Sequence, residues 1–159
     1  MPANLGVATS AGSTFSVVAA GAPPATFNTA GYAALTWVPV GEITDLGEFG
    51  REFALVTHSP VGSRGTQKFK GSFNEGTIAL QLGLQTDDAG QIIMKAAVNS
   101  DLSFSFRVVT QNGDAYYFRA QTMSFKVGVG SVDQITTASV SLELTTSSAG
   151  VGIVESLMA

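Results

Sequence analysis

His58 is the one histidine of the chain, and imidazole is the side chain best suited to moving a proton near neutral pH. General-base chemistry also needs a nucleophile or an orienting carboxylate held beside it, and nothing next to His58-Ser59-Pro60 specifies either. His58 therefore reads as a solvent or interface residue. Glu42, Asp45, Glu48 and Glu52 crowd one short stretch and could be offered to calcium, but a calcium loop sets its oxygen ligands at regular spacing on a tight turn. Here they are interleaved with Ile43, Leu46, Phe49 and Phe53, which is the rhythm of strand and turn. Gly62, Gly65, Gly71 and Gly76 make no phosphate cradle, because no Gly-Lys-Ser/Thr opens a helix behind them. The nucleophile elbow G-x-S-x-G is missing. With no cysteine in the chain, thiolate metal sites and disulfides are excluded. The expectation is a protein that is not an enzyme, with no catalytic, cofactor-binding or metal-binding set.

The elements around these residues are mostly strands. In residues 77–84, Ile78, Leu80, Leu82 and Leu84 alternate with Thr77, Ala79, Gln81 and Gly83, the period of two that marks a half-buried strand. Residues 102–109 alternate Leu102, Phe104, Phe106 and Val108 with Ser103, Ser105 and Arg107, and Asn112-Gly113 supplies the positive-φ pair that a tight hairpin favours. The return strand carries Phe118 and Ala120 in one phase and Met123, Phe125 and Val127 in the other. That slip near Gln121-Thr122 predicts a β-bulge. Ala138, Val140, Leu142 and Leu144 mark a last alternating strand. One helix is expected, capped by Thr86 or Asp87, with Ile92, Ile93, Ala96 and Ala97 as its packing stripe and an end near Val98-Asn99. The fold class is mainly β: an antiparallel β-sandwich or flattened barrel with one flanking α-helix and a long β-loop-β arm.

The arm lies in residues 40–84. Four of the eight basic residues fall there (Arg51, Arg64, Lys68 and Lys70), and none precedes Arg51. Strand-like runs at 53–57 and 77–84 flank a polar, Gly-rich excursion, and compact domains seldom keep so long a connection unless it binds something. Residues 1–31, rich in small residues and with one strand candidate at 14–19, read as a weakly packed N-terminal arm ahead of a strand-like run at 32–38. Residues 146–159 read as a C-terminal tail, and the whole of 1–159 as a single domain.

Composition points the same way. Charged residues make up 13%, against a usual figure of about 25%. Mean hydropathy is +0.27, yet no apolar run approaches the roughly 18–20 residues that cross a bilayer, so membrane insertion is not expected. A low-charge surface outside a membrane is most economically covered by other copies of the chain; a Ser/Thr-coated monomer is the alternative. A net charge of −4, with no basic stripe, argues against tight nucleic-acid binding. The N-terminus has neither the basic start of a secretory signal nor the arginines of a transit peptide. The lack of cysteine suits assembly in a reducing cytoplasm. Trp37 reads as core. Of Tyr116-Tyr117-Phe118 at least one ring must leave the main core, to meet a neighbouring chain, fill a second core, or stack a sugar as in a carbohydrate-binding or adhesin sandwich that uses Tyr32, Tyr116 or Tyr117.

Several motifs in order resemble the major tail tube proteins of long, non-contractile-tailed (siphovirus-type) bacteriophages. They are Leu35-Thr36-Trp37-Val38, the run from Val40 to Gly50 (VGEITDLGEFG), the run from Val56 to Gly62 (VTHSPVG), and that from Thr66 to Gly76 (TQKFKGSFNEG). Tyr117-Phe118-Arg119-Ala120, Met123-Ser124-Phe125 and Val132-Asp133-Gln134-Ile135 complete the similarity, which spans roughly 32–145. The family is also similar to the ring-forming tube protein of type VI secretion, so a phage-derived secretion or bacteriocin particle is a further possibility.

The resemblance implies a virion tail protein, assembled in the host bacterial cytoplasm, whose subunits close into hexameric rings. The rings stack into a conduit around a tape-measure protein, bounded by tail terminator and tip proteins, and pass double-stranded DNA during ejection into the host. The excursion at about 40–72 would reach the next ring, with Phe49, Arg51, Phe53, His58, Arg64, Lys68 and Lys70 as interface candidates and the termini adding inter-ring contacts. Six copies at −4 carry about −24, and a neutral or negative lumen would let phosphates slide by. Gln121, Ser139, Ser141 and Glu143 are the lumen candidates, with Arg107 and Arg119 balanced by Glu143 across strands.

Overall fold

A computed structural model describes residues 6–157 apart from Ala20 and Ala22. Strands β1 (Thr14–Val18), β2 (Trp37–Pro39) and β3 (Ile43–Asp45) precede the pair β4 (Glu52–His58) and β5 (Gln67–Asn74). After them come β6 (Thr77–Gly83), β7 (Phe104–Val109), β8 (Ala115–Gly128), β9 (Thr137–Thr145) and β10 (Val154–Ser156). The helices are α1 (Thr29–Ala33) and α2 (Ala89–Ala97). The main sheet is antiparallel and ordered β2-β1-β7-β8-β9-β6-β3, with β10 also on β8; β4 and β5 form a separate two-stranded ribbon.

This is the expected mainly β, antiparallel fold with a flanking helix. It is one continuous sheet that coils on itself. Phe15 and Val17 of β1 lie near one end of the strand order and Ile78, Leu80 and Leu82 of β6 near the other, yet all five share one buried cluster with Phe106, Phe118, Val140, Leu142 and the helix residue Met94. A flat sheet could not bring them together. The long strand β8 makes the coiling possible. Its first half pairs with β7 on one side and β10 on the other, and its second half with β9. The register slips between Thr122 and Ser124, a bulge within two residues of its expected place.

Sequence periodicity holds where one strand face is buried. Alternate residues of β6 and β9 are buried from Ile78 to Leu82 and from Ala138 to Leu144. Gly113 turns the β7–β8 hairpin at φ +90, a conformation that glycine adopts without strain.

Five expectations change. Residues 14–18, within the stretch read as a weakly packed arm, form β1, paired on both sides by β2 and β7. Residues 32–38 are not one strand: Asn28 caps the short α1 through a side-chain bond from Gly31 N (2.8 Å), which buries Tyr32, and only then does β2 begin. The cap of α2 is Asp88, one residue beyond Asp87, and its carboxylate accepts from Gln91 N at 3.0 Å. The buried stripe of α2 is Gly90, Gln91, Met94 and Ala97, while Ile92 stays exposed and Ile93 is half-buried. Leu102 also falls outside β7 and is exposed.

Tyr117 and Phe118 are both buried, on opposite faces of β8. Phe118 lies in the main cluster and Tyr117 in a second one, stacked on Tyr32 (centroids 5.4 Å apart, 14° between planes), with half-buried Trp37 tilted against it. Because Tyr32 and Tyr117 spend their ring faces on each other and on Trp37, they form no sugar platform. Trp37 flanks this second cluster and donates its Nε1–H to the Tyr32 carbonyl (3.1 Å).

Candidate functional site

The β4–β5 ribbon is the surface that stands apart. Every residue of β4 is exposed, and in β5 only Gly71 and Phe73 are half-covered. A two-stranded hairpin is marginal on its own in water, so its root is fastened. Arg51 Nε donates to Glu75 Oε1 at 2.6 Å, and the Arg51 guanidinium lies 3.9 Å from the Phe73 ring centroid. Glu75 is buried beneath Gly152 of the C-terminal segment, where a side chain at 152 would strike the Glu75 carboxylate. The tip is closed by a bond between the Ser59 and Thr66 hydroxyls (3.3 Å).

Register sorts the ribbon into two unlike faces. Phe53 opposes Phe73, Leu55 opposes Lys70 and Thr57 opposes Lys68, so these six share one face. A slip between Phe53 and Leu55 keeps Lys70 and Phe73 together there, and the Lys70 ammonium lies 4.9 Å from the Phe53 centroid. The other face carries Ala54, Val56 with Phe69, and His58 with Gln67. Leu55 is 66% exposed and Val56, Phe69 and Val61 are also open to solvent, so the ribbon shows apolar surface on both sides.

Of the interface candidates, Phe53, His58, Lys68 and Lys70 lie on the ribbon and Arg64 in its turn. Arg51 is held at the root. Phe49 turns inward instead, packing against Tyr116 (5.3 Å) and Phe118 (5.9 Å). Leu55, Val56 and Phe69 are ribbon surface that sequence reasoning missed. Their signal was the Lys68-Phe69-Lys70 alternation opposite an apolar run.

The lumen candidates do share one face. Gln121 opposes Glu143, and Gln81 opposes Ser139 with a 3.0 Å side-chain bond. Ser141 opposes Ala79 and Ser124 on that same polar face. Glu143 is not the register partner of either arginine. Arg119 donates to Ser105 Oγ and to the carbonyls of Gly21 and Ser103, and Arg107 lies over the Trp37 ring. Burial lowers the Arg119 pKa, an effect that the Tyr32 hydroxyl opposes.

A second charged feature lies on β3, at the far end of the sheet. The Glu42 carbonyl accepts from Gly83 N (2.8 Å), and Asp45, displaced by a bulge, opposes Gln81. Asp88 accepts from Gly41 N (3.1 Å), and the Gln91 amide donates to the Gly41 and Gly83 carbonyls, which fastens this edge to α2. Glu42, Asp45 and Glu48 are all exposed. Among the described residues no group of three or more His, Asp or Glu is placed to hold a metal ion, and no helix is long and apolar enough to cross a membrane. His58 faces Gln67, with no carboxylate opposite it.

No family model matches the chain, and no curated protein does. Solved structures do match in fold. A chain of the anti-feeding prophage (AFP) baseplate, solved with sixfold symmetry, aligns at TM-score 0.62 and 10% identity over 88% of this chain and 93% of its own. The sheath/tube terminator structure of an extracellular contractile injection system (PVC) gives 0.63 and 10% over 96% and 99%. The SPP1 tail tube gives 0.57 and 14% over 92% and 77%. The chain therefore has the tail-tube-like fold.

Proposed function

We propose that this chain is a structural subunit of a phage tail tube, closing into hexameric rings that stack into the conduit for DNA ejection, with no catalytic role. The observation that carries this is the β4–β5 ribbon: solvent-exposed, apolar on both faces, and fastened only at its root, in a fold shared with tail-tube and injection-particle chains. Such a ribbon gains stability by lying on another subunit, and open strand edges are completed the same way. A head-to-tail contact of this kind propagates without limit unless another component stops it. The tape-measure and terminator proteins are the expected regulators of length, and the virion tail the expected location. The polar face of Gln121, Ser139, Ser141 and Glu143 would line the lumen, where Lys126, opposite Ser139, is a single positive charge set against Glu143.

A specific observation favours a second setting, a contractile injection particle. The AFP and PVC chains are covered nearly end to end, the SPP1 chain to 77%.

The test is to express the chain alone, raise its concentration, and combine negative-stain imaging with light scattering. Stacked rings or tubes support a tube subunit, and isolated rings a terminator-like role. A lone particle at millimolar concentration, even with its assembly partners added, overturns both. Deleting residues 59–65 should leave a folded subunit that no longer stacks. Glu143→Lys should slow DNA delivery, and unchanged delivery would remove Glu143 from the lumen.

A further inference from the structure

We propose that the lysine-bearing face of the β4–β5 ribbon seats on the carboxylate ridge along β3 of a second copy of this chain; this rests on the tube-subunit function above and names the surface that the ribbon meets. The two faces of the ribbon differ in charge. Lys68 and Lys70 share the face with Phe53, Leu55 and Phe73, about 7 Å apart at the usual strand rise. Arg64 adds a third cation at the turn, and residues 53–74 contain no Asp or Glu. Contact with the Phe53 ring holds the Lys70 ammonium above an apolar strip.

The complementary surface is on the body of the subunit. Residues 6–50 contain no Lys or Arg, and Glu42, Asp45 and Glu48 are all exposed there. The backbone lays them out in a row. Glu42 is bonded beside Gly83, Asp45 opposes Gln81, Gly47 passes against the Ala79 carbonyl, and Glu48 lines one shallow pocket with Gly76 and Thr77. The row follows about six residues of β6, roughly 20 Å. β3 ends the strand order, so its outer edge has no strand partner among the described residues.

Among those residues the one ion pair is Arg51–Glu75, so neither the ribbon's lysines nor the ridge's carboxylates are neutralised within the subunit. Two uncompensated patches of opposite sign at different places on one molecule can pair reciprocally in a closed dimer or head-to-tail in an open stack. Ribbon against ribbon and ridge against ridge both set like charges together, so ribbon meets ridge, and in a stacking subunit that pairing runs head-to-tail. Charge of this kind chiefly sets register and the rate of encounter, while the strip formed by Phe53, Leu55 and Phe73 supplies apolar burial.

The experiment is a charge swap in the full chain, read by light scattering and negative stain, with circular dichroism to confirm the fold. Lys68→Glu with Lys70→Glu should raise the concentration needed for stacking about tenfold or more. Adding Glu42→Lys, Asp45→Lys and Glu48→Lys to that variant should restore stacking. If the lysine variant stacks like the parent, or if the five-fold swap fails to restore stacking while its fold is intact, the ridge is not the docking surface, although the parent's tubes still support the tube function. If the parent itself never assembles, the tube function and this contact fall together. Should the reversed variants not fold, Lys68→Gln with Lys70→Gln and Glu42→Gln with Glu48→Gln replace them; each pair should weaken stacking, and an unchanged threshold in either overturns the contact.

Discussion

The β6–β9 ladder and the β4–β5 ribbon are both antiparallel pairs of similar length, yet they relate to water in opposite ways. In the first, every second residue is buried against Phe106, Phe118 and Met94. In the second no residue is fully buried, although Phe53, Leu55, Val56, Phe69 and Phe73 supply ample apolar surface. Strand-forming residues are thus spent on two tasks, one closing the subunit's own core and the other displayed outward. The difference teaches that apolar content alone does not tell a core strand from an interface strand. What separates them is whether the apolar residues are confined to one face.

The largest expected effect breaks the comparison most directly. Leu80→Ala and Leu142→Ala remove fully buried side chains and should each cost about 2–5 kcal/mol of subunit stability in urea. Val56→Ala and Phe69→Ala, on exposed strands, should stay within about 0.5 kcal/mol. A Phe69→Ala loss as large as that of Leu80→Ala would mean that the ribbon packs on its own body, and the contrast would vanish.

Alkaline pH should act on the body of the subunit. Burial pushes the Tyr32 hydroxyl from 10.0 up to about 12, with Arg119 opposing the rise. The folded state therefore holds this proton more tightly than the unfolded chain does. The resulting stability is full below pH 10 and is lost as pH rises through about 12. On the order of 2–3 kcal/mol should disappear across that window. Tyr32→Phe keeps the stack on Tyr117 and should flatten most of the slope. A smaller slope should remain from Tyr116, raised by burial first and then by Glu155 and Asp114.

What the sequence disclosed follows the same division. Ile78, Leu80 and Leu82 against Ala79 and Gln81 announce a strand because water lies on one side only. The β8 bulge is visible for the same reason, as a change of phase. β5 is hidden because the Lys68-Phe69-Lys70 alternation breaks at Gly71-Ser72 and at a register slip, which puts Phe73 on the lysine face while Phe69 lies on the other. The stripe of α2 was misassigned because Gly90 and Gln91 look unfit for burial. Gly90 is there for close approach to Pro39 and Val40, and Gln91 for its bonds to the Gly41, Gly83 and Gln85 backbones. Both depend on residues distant in sequence. The sharing of one face by Lys70 and Phe73, three residues apart, depends on a register slip that a single sequence does not display.

Gly90→Ala tests that explanation of the helix. In an exposed helix alanine would gain up to about 1 kcal/mol over glycine. Here the added methyl would collide with the Pro39 carbonyl oxygen and the Val40 backbone, so a loss of about 1–3 kcal/mol is expected. A gain in urea would show that α2 rides loosely over β2, and that the β3 edge it fastens is less fixed than the ribbon's root.

The smallest effect is the most discriminating, because its two readouts should move in opposite directions. Glu42 is the one non-glycine residue in the left-handed region among those described, at φ +60. Such a residue stores about 1 kcal/mol of strain, and its side chain is exposed and has no ion pair to offset it. Glu42→Gly should relieve the strain and lose part of the gain to the greater freedom of an unfolded glycine, for a net stabilisation of about 0.5 kcal/mol. The same change removes one carboxylate from the β3 ridge, so stacking should weaken as the subunit grows more stable. The backbone at Glu42 serves the fold through the bond from Gly83 N to its carbonyl, whereas the exposed carboxylate does not. If Glu42→Gly stabilised the subunit and left assembly untouched, Glu42 would be neutral to the contact and the ridge would reduce to Asp45 and Glu48.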